Sequence, residues 1–442
     1  MKIKHLIILL LLAAPLVSSA QFVSEVLDLP TDPTLLQPTR YSVVRTIDDN
    51  NTVSYANDQV MQEFMITEHT PYFSTSIMPF TCHHISIHPR VLKVWDIRVV
   101  DDYVYFCGEY INNTAFIGYF QFSGSPLALP TTMELMEVPD AQVLWRMAAY
   151  KNTGGIPKVV AVGIGAANPT YDRVVVEMDD IHNAGTYSYV LLPREEMSDV
   201  ALVGSETVVV GQSHLTGTLC LRKSHCDMVL SSQFDTRYHY VPPTGENYTM
   251  LTAVSTYDNM LAAAYFHTDL TPLRYYTRIR HFSIPTMQMV NSHEISCSNK
   301  PYIHEMAYVR QLKAAMLLQD IPFPLGDSTY ESVFTPIFPA RTTGYSADAR
   351  FFPRSTFWSL DLVRDRHIVS TGEDVMLLDN PTVALPPSNC VKEDKETVNV
   401  IDNCTLLETT MPLSVYSGSV TRVTHNVSAS IYPNAPQNCT NP

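Results

Sequence analysis

The chain has 442 residues, 45% hydrophobic and 17% charged, and its 29 Lys+Arg against 44 Asp+Glu leave a net charge of −15. That excludes a disordered chain, which needs few apolar and many charged residues, and it argues against nucleic acid as a partner, which calls for a basic patch. Pro is frequent (30) and Gly scarce (16), and the length allows two or three domains or one repeat array.

Residues 1–20 have the pattern of a secretory signal peptide. Lys2 and Lys4 form a charged start, Leu6–Val17 an apolar run of 12 residues, and Ser18-Ser19-Ala20 a small-residue cleavage site. Twelve apolar residues fall short of the roughly 20 that span a bilayer, and no later run approaches that length, so no membrane span is expected after cleavage. Loss of Lys2 and Lys4 takes the net charge to −17. Residues 21–40 read as an N-terminal extension.

The eight cysteines are Cys82, Cys107, Cys220, Cys226, Cys297, Cys390, Cys404 and Cys439. Export permits disulfides. Their pairing is open, since eight cysteines allow 105 arrangements. The candidates are Cys220 with Cys226, closing a small loop, and Cys390 and Cys404, stapling the C-terminal segment. No C-x2-C pair occurs, so no zinc site is assigned.

An internal period follows. Its clearest copy is "DIRVVDDYVYFCG" (Asp96–Gly108), an apolar-alternating stretch, a polar turn and a second apolar stretch ending in a small residue. Further copies place the starts at 44, 96, 147, 199, 252, 305 and 360, with steps of 52, 51, 52, 53, 53 and 55. Two-fold alternation around Asp/Asn turns predicts a β-hairpin in each unit. Two more strand-like runs follow, such as Phe116–Phe122 and Glu134–Val138. Four strands per unit predict an all-β fold, a single β-propeller over 41–413. Seven blades of four antiparallel strands are expected, with six or eight as alternatives. Gln311–Leu318 has local helical propensity, but its place in the repeat predicts a strand. The tail is read as completing the last blade, with 414–442 closing the ring against residues 21–40.

On the hairpin motif "VVDDYVYFCG" the chain resembles secreted bacterial β-propellers of uncharacterised type, in architecture only, over about residues 41–413. The sialidase-type box is absent. Kelch-type repeats need a double Gly per blade, and only Gly154-Gly155 exists. Trp95-Asp96 stands in the innermost strand, whereas WD-type repeats place that dipeptide in a later one. No family site is carried over, and the fold alone does not give function.

The candidate ligand-binding residues are Trp95, Trp145 and Trp358, each one or two residues before an innermost strand, with His304 nearby in unit six and Tyr41 in unit one. They form an aromatic rim able to stack on sugar rings, or they fill space between blades. His83, His84 and His88 do not make a metal site: on a strand His84 and His88 stand roughly 13 Å apart, and His83 and His84 face opposite ways. His225 and Asp227 flank Cys226 and could orient an imidazole as a base, but no Gly-x-Ser-x-Gly nucleophile accompanies them. The doublets Asp48-Asp49, Asp101-Asp102, Asp179-Asp180 and Glu195-Glu196 suggest paired carboxylates, and turn chemistry explains the first two as well. Six Asn-x-Ser/Thr sequons matter only in a eukaryotic secretory route, and the leader has bacterial character.

The expected function is that of an exported binding or scaffold protein taking a glycan or envelope protein through loops on one face. It needs no cofactor, has no assigned catalytic residue, and resides in the periplasm, at the cell surface or outside the cell. A carbohydrate-active hydrolase or lyase with a site at the central tunnel, and a structural envelope subunit, are the alternatives.

Overall fold

The computed structural model describes residues 24–28, 41–57, 62–68, 80–122, 128–167, 172–193, 195–213, 218–240, 248–255, 259–270, 272–322, 330–353, 357–363, 367–372, 375–379, 391–402 and 405–434. The expected leader and the disulfide candidates Cys390 and Cys404 lie outside these residues. The described chain is built of strands, and no helix is long and apolar enough to cross a membrane.

Strand β1 (Ser24–Asp28) comes first, and unit one is β2 (Tyr41–Thr46), β3 (Asn51–Asn57), β4 (Gln62–Glu68) and β5 (Phe80–Ser86). Unit two is β6 (Val91–Val100), β7 (Tyr103–Tyr110), β8 (Ala115–Gln121) and β9 (Thr132–Val138); unit three is β10 (Ala141–Lys151), β11 (Pro157–Gly165), β12 (Asp172–Met178) and β13 (Thr186–Pro193). Unit four is β14 (Glu195–Val203), β15 (Glu206–Ser213), β16 (Thr218–His225) and β17 (Thr236–Tyr240); unit five is β18 (Tyr248–Ser255), β19 (Met260–Leu270), β20 (Leu273–Ser283) and β21 (Gln288–Cys297). Unit six is β22 (Tyr302–Val309), β23 (Ala314–Pro322), β24 (Tyr330–Ile337) and β25 (Tyr345–Pro353); unit seven is β26 (Phe357–Val363), β27 (His367–Gly372) and β28 (Val375–Asp379). The tail adds β29 (Lys392–Val400), β30 (Leu406–Thr410), β31 (Val415–Ser419), β32 (Thr421–Asn426) and β33 (Ala429–Asn434).

Each unit is an antiparallel meander, and the first strands touch in cyclic order: β2–β6–β10–β14–β18–β22–β26 and back to β2. This is a β-propeller, and its cyclic order agrees with the seven blades that the spacing predicts. Within Gln311–Leu318, residues 311–313 form a turn with Lys313 at φ 51°, and Ala314–Leu318 are strand, the start of β23.

Apolar runs in the second and third strands explain the packing. Val159–Val162 and Val174–Val176 are fully buried because blades cover both faces of the sheet. Phe64 of blade one meets Phe106 and Phe120 of blade two at ring-centroid distances of 4.8 and 5.3 Å. Each such fully buried side chain contributes about 1.5–3 kcal/mol relative to exposure. Asp101, Asn113, Asp180 and Asn259 take left-handed φ values of 50°, 59°, 46° and 60° at turns, which is how a Gly-poor chain makes tight connections.

The termini behave differently from the expectation that the tail completes the last blade. The outer strand of blade seven is β1, paired antiparallel with β28. The tail instead runs around the outside against the chain direction. β29 pairs with both β21 and β25, joining blades five and six in one sheet, and β30, β31, β32 and β33 then add a fifth strand to blades four, three, two and one. This belt caps strand edges that would otherwise present unpaired backbone.

The expected Cys220–Cys226 bridge is not present: both are free and buried, as are Cys82, Cys107 and Cys297. Cys220 lies within β16 and Cys226 just past its end, so an extended backbone separates them by about 20 Å. A disulfide needs Cα atoms within about 7 Å. Five intervening residues close a loop only when the chain turns back, and here it runs straight.

Candidate functional site

All seven first strands break register at one shared level of the ring, and β6 and β10 break it a second time nearer their starts. The shared shifts fall at 41/43, 94/96, 144/146, 197/199, 249/251, 303/305 and 357/359. A bulge places one extra residue against its partner strand and re-aims that side chain. The extra residues are Ser42, Trp95, Trp145, Ser198, Met250, His304 and Trp358. The four rim candidates, Trp95, Trp145, His304 and Trp358, thus occupy one structural position. They lie within the first strands rather than before them, because those strands begin several residues earlier than the alternation suggests.

The glycine that ends four of the repeats has the same cause. A Cβ on Gly108, Gly163 or Gly211 would lie 2.0, 1.8 or 2.1 Å from the carbonyl oxygen of Lys93, Val143 or Glu196 on the bulged strand. In these blades the bulge drives one backbone against the other and glycine leaves the room, whereas Ala56, Phe266 and Gln319 face the shift in blades one, five and six.

The rim side chains are half-buried and held. Trp95 donates its indole N–H to Glu109 at 3.0 Å, and the Lys93 ammonium sits 3.3 Å from its ring centroid. The His304 ring nitrogen Nε2 lies 2.8 Å from Asp320, which occupies the register position of Glu109 in its own blade. Trp145 packs against the interface of blades three and four, with the Arg173 guanidinium 5.5 Å from its ring. Trp358 is half-buried in β26.

Inside the rim, charged side chains of the first strands meet at the axis, a group absent from the sequence reading. Arg45 of blade one pairs with Asp96 of blade two at 3.0 Å and with Glu305 of blade six at 2.6 Å. Its Nε donates to the Ile97 carbonyl of the next blade, and Arg98 repeats this one blade on, donating to the Met147 carbonyl. Carboxylates work the opposite way, accepting from backbone N–H groups of the neighbouring first strand: Asp96 from Met147, Glu305 from Leu360, and Asp361 from Thr46. Ser359 accepts from the Val44 N–H and donates to Glu305, so the seam between blades seven and one is closed at the axis. Arg146 of blade three reaches the His304 carbonyl at 3.5 Å.

Burial would push the Glu305 carboxyl up, but Arg45, Arg146, Arg98 and the Ser359 hydroxyl more than offset it and hold it at about 2. Burial would lower the Arg45 pKa, and Glu305, Asp96 and Asp361 raise it instead. Asp361 is raised, because its burial outweighs the Arg45 charge. The axis carries acids and bases locked to each other and to the backbone, an arrangement that ties blades together.

The remaining candidates scatter. His83 lies 3.3 Å from Glu68 and His84 2.8 Å from Glu63, on separate partners, while His88 packs edge-on against His425 of the tail. Asp101 and Asp180 are turn residues, Asp179 pairs with Lys158, and Glu195 is buried in a two-pronged pair with Arg222 at 2.9 and 2.8 Å. Asp227 is bonded to Thr153 of the neighbouring blade.

No family model matches the chain, and no curated protein matches it. Among solved structures it is similar to one titled "YCF48 bound to D1 peptide", with 9% identity, coverage of 82% of this chain and 96% of that chain, and a TM-score of 0.43.

Proposed function

We propose that this chain is an exported, non-catalytic propeller of the bacterial envelope that binds a glycan or a protein segment through the ring face carrying the bulges. One observation supports the reading above all: four of the seven bulge positions hold Trp95, Trp145, His304 and Trp358, half-buried at one level of the ring. Large amphipathic rings with one end fixed suit stacking on sugar rings or capture of a peptide. Trp95 is pre-organised, pinned by Glu109 and Lys93, and a fixed side chain loses little entropy on binding. The carboxylates at the axis favour a scaffold over a hydrolase or lyase, since Asp96 and Glu305 are committed to Arg45 and to backbone N–H groups.

The test is binding to glycan and envelope-protein arrays with the secreted chain, its Trp95→Ala and Trp358→Ala variants, and a tail-face control, Tyr416→Ala. A signal lost at least tenfold in both rim variants and kept in the control supports the proposal. Silent arrays, or a signal that ignores both tryptophans, refute it.

A further inference from the structure

At the end of β16, His225, Cys226 and Asp227 turn their ligating atoms toward one another. His225 Nδ1 lies 3.6 Å from Asp227 Oδ2, Cys226 Sγ lies 4.0 Å from Asp227 Oδ1, and all three groups fall within 4.8 Å. Three ligand atoms that all lie within 4.8 Å of one another share a central point at most about 2.8 Å from each, so shifts of a few tenths of an ångström bring them to zinc–ligand distances of about 2.0–2.3 Å. We propose that these three side chains form a binding site for a divalent ion of the zinc class, with the fourth position open to solvent.

Three independent features of the surroundings fit a cation there. First, the carboxylate is oriented from outside: Asp227 Oδ1 accepts from the Thr153 N–H at 2.8 Å and Oδ2 from the Thr153 hydroxyl at 2.6 Å. Such outer hydrogen bonds are what hold metal-ligating carboxylates in place. Thr153 belongs to the β10–β11 turn, itself organised by Asn152 Oδ1 accepting from the Gly154 and Ile156 N–H groups. Second, the Asp227 N–H donates to His225 Nδ1 over a long 3.3 Å, which holds the imidazole beside the carboxylate; an ion would take that lone pair in place of the backbone hydrogen bond. Third, the local charge is negative. Lys158, a cation near Cys226, is bonded to Glu177 at 2.6 Å and Asp179 at 2.7 Å, and Glu206 adds a further acid beside Cys226.

The sites of entry are open, since the His225 and Asp227 side chains are 44% and 37% exposed, while the sulfur comes from a buried residue. A bound ion would replace the Cys226 thiol proton, released to solvent, and would fasten blade four to the blade-three turn through Thr153. This site lies apart from the bulge rim and does not depend on it.

Cobalt(II), as a spectroscopic stand-in for zinc, is titrated into the reduced full-length chain. One equivalent should produce a sulfur-to-cobalt charge-transfer absorption with the ligand-field bands of a tetrahedral ion, and zinc should bleach both. Cys226→Ser should abolish the charge-transfer band. His225→Ala, at an exposed position, should weaken cobalt binding at least tenfold while leaving the circular dichroism of the metal-free chain unchanged. Thr153→Val should weaken it less, by several-fold. Absence of the charge-transfer band, its persistence in Cys226→Ser, or unaltered affinity in a folded His225→Ala chain would each overturn the proposal.

Discussion

Replacing Arg45 with Met tests whether the axis is held by the ion cluster or merely contains it. In the wild type one guanidinium answers Asp96 at 3.0 Å and Glu305 at 2.6 Å, and also bonds the Val44 and Ile97 carbonyls. Met fills similar volume but leaves two buried carboxylates short of a cation. Breaking a buried pair from one side costs about 3–5 kcal/mol, most of it the uncompensated charge. Arg45→Met/Glu305→Gln removes that charge while keeping an acceptor for the Leu360 N–H, so it should recover at least half of the loss. The pH dependence supplies a second arm. Burial would raise the Glu305 carboxyl, and the axial arginines hold it instead at about 2, below its ordinary 4.5. Its stabilisation is therefore fully present above pH 4.5 and is lost as pH falls from 4.5 toward 2. A shift of this size amounts to about 3 kcal/mol. In Arg45→Met the carboxyl no longer holds its charge so firmly, so the gap between wild type and variant should narrow as the solution is acidified. Urea unfolding at pH 7, 5 and 3.5 reads both arms. A loss below about 1 kcal/mol at pH 7, or a gap that stays constant down to pH 3.5, would refute the claim that this cluster ties the blades.

Gly108→Ala places a methyl 2.0 Å from the Lys93 carbonyl and should cost about 1–3 kcal/mol in urea unfolding; Gly185→Ala, with open space around it, should stay within about 0.5 kcal/mol, and equal effects at the two sites would dismiss the bulge explanation. His281 and His293 pack edge-to-face at 5.1 Å inside blade five, with burial, and for His281 also the His293 charge, depressing them to about 3 and about 4. The unfolded chain binds protons there near pH 6.5 that the folded chain refuses, so stability should fall as pH drops from 6.5 toward 4, by about 1.4 kcal/mol per unit for each histidine. His281→Phe should flatten that slope, and an unchanged slope in a folded variant counts against it. Ending the chain at residue 390 removes the belt and bares the edges of β5, β9, β13 and β17. Size-exclusion chromatography should then show concentration-dependent association, whereas a monomer at all concentrations would mean the belt is not an edge guard.

The repeat was readable because a blade's first hairpin is local: alternation, an Asp/Asn turn and a small final residue all fall within about 13 positions. Trp95, Trp145, His304 and Trp358 showed up as a coincidence of position, but the bulge that explains it did not, since a bulge is a relation between two strands. One signal for it was present. Gly108, Gly163, Gly211 and Gly372 close four units at the residue facing the register shift, and small size there points to close backbone approach rather than to a turn. The axial cluster was harder. Arg45, Arg98, Arg146 and Glu305 interrupt apolar strands at similar places, yet reading them as one group requires knowing that units one, two, three and six face a common axis, a fact that the linear spacing does not carry. The belt was the least readable of all. Its strands are polar and largely exposed, held by backbone ladders to blades far away in sequence. Backbone pairing of this kind asks almost nothing of the side chains, so it leaves the weakest trace in the sequence. The same reasoning separates what binds from what builds: the axis and belt can be predicted once the ring is known, whereas the rim's Trp and His at four bulges, where Ser serves at two others, are not required by the ring at all.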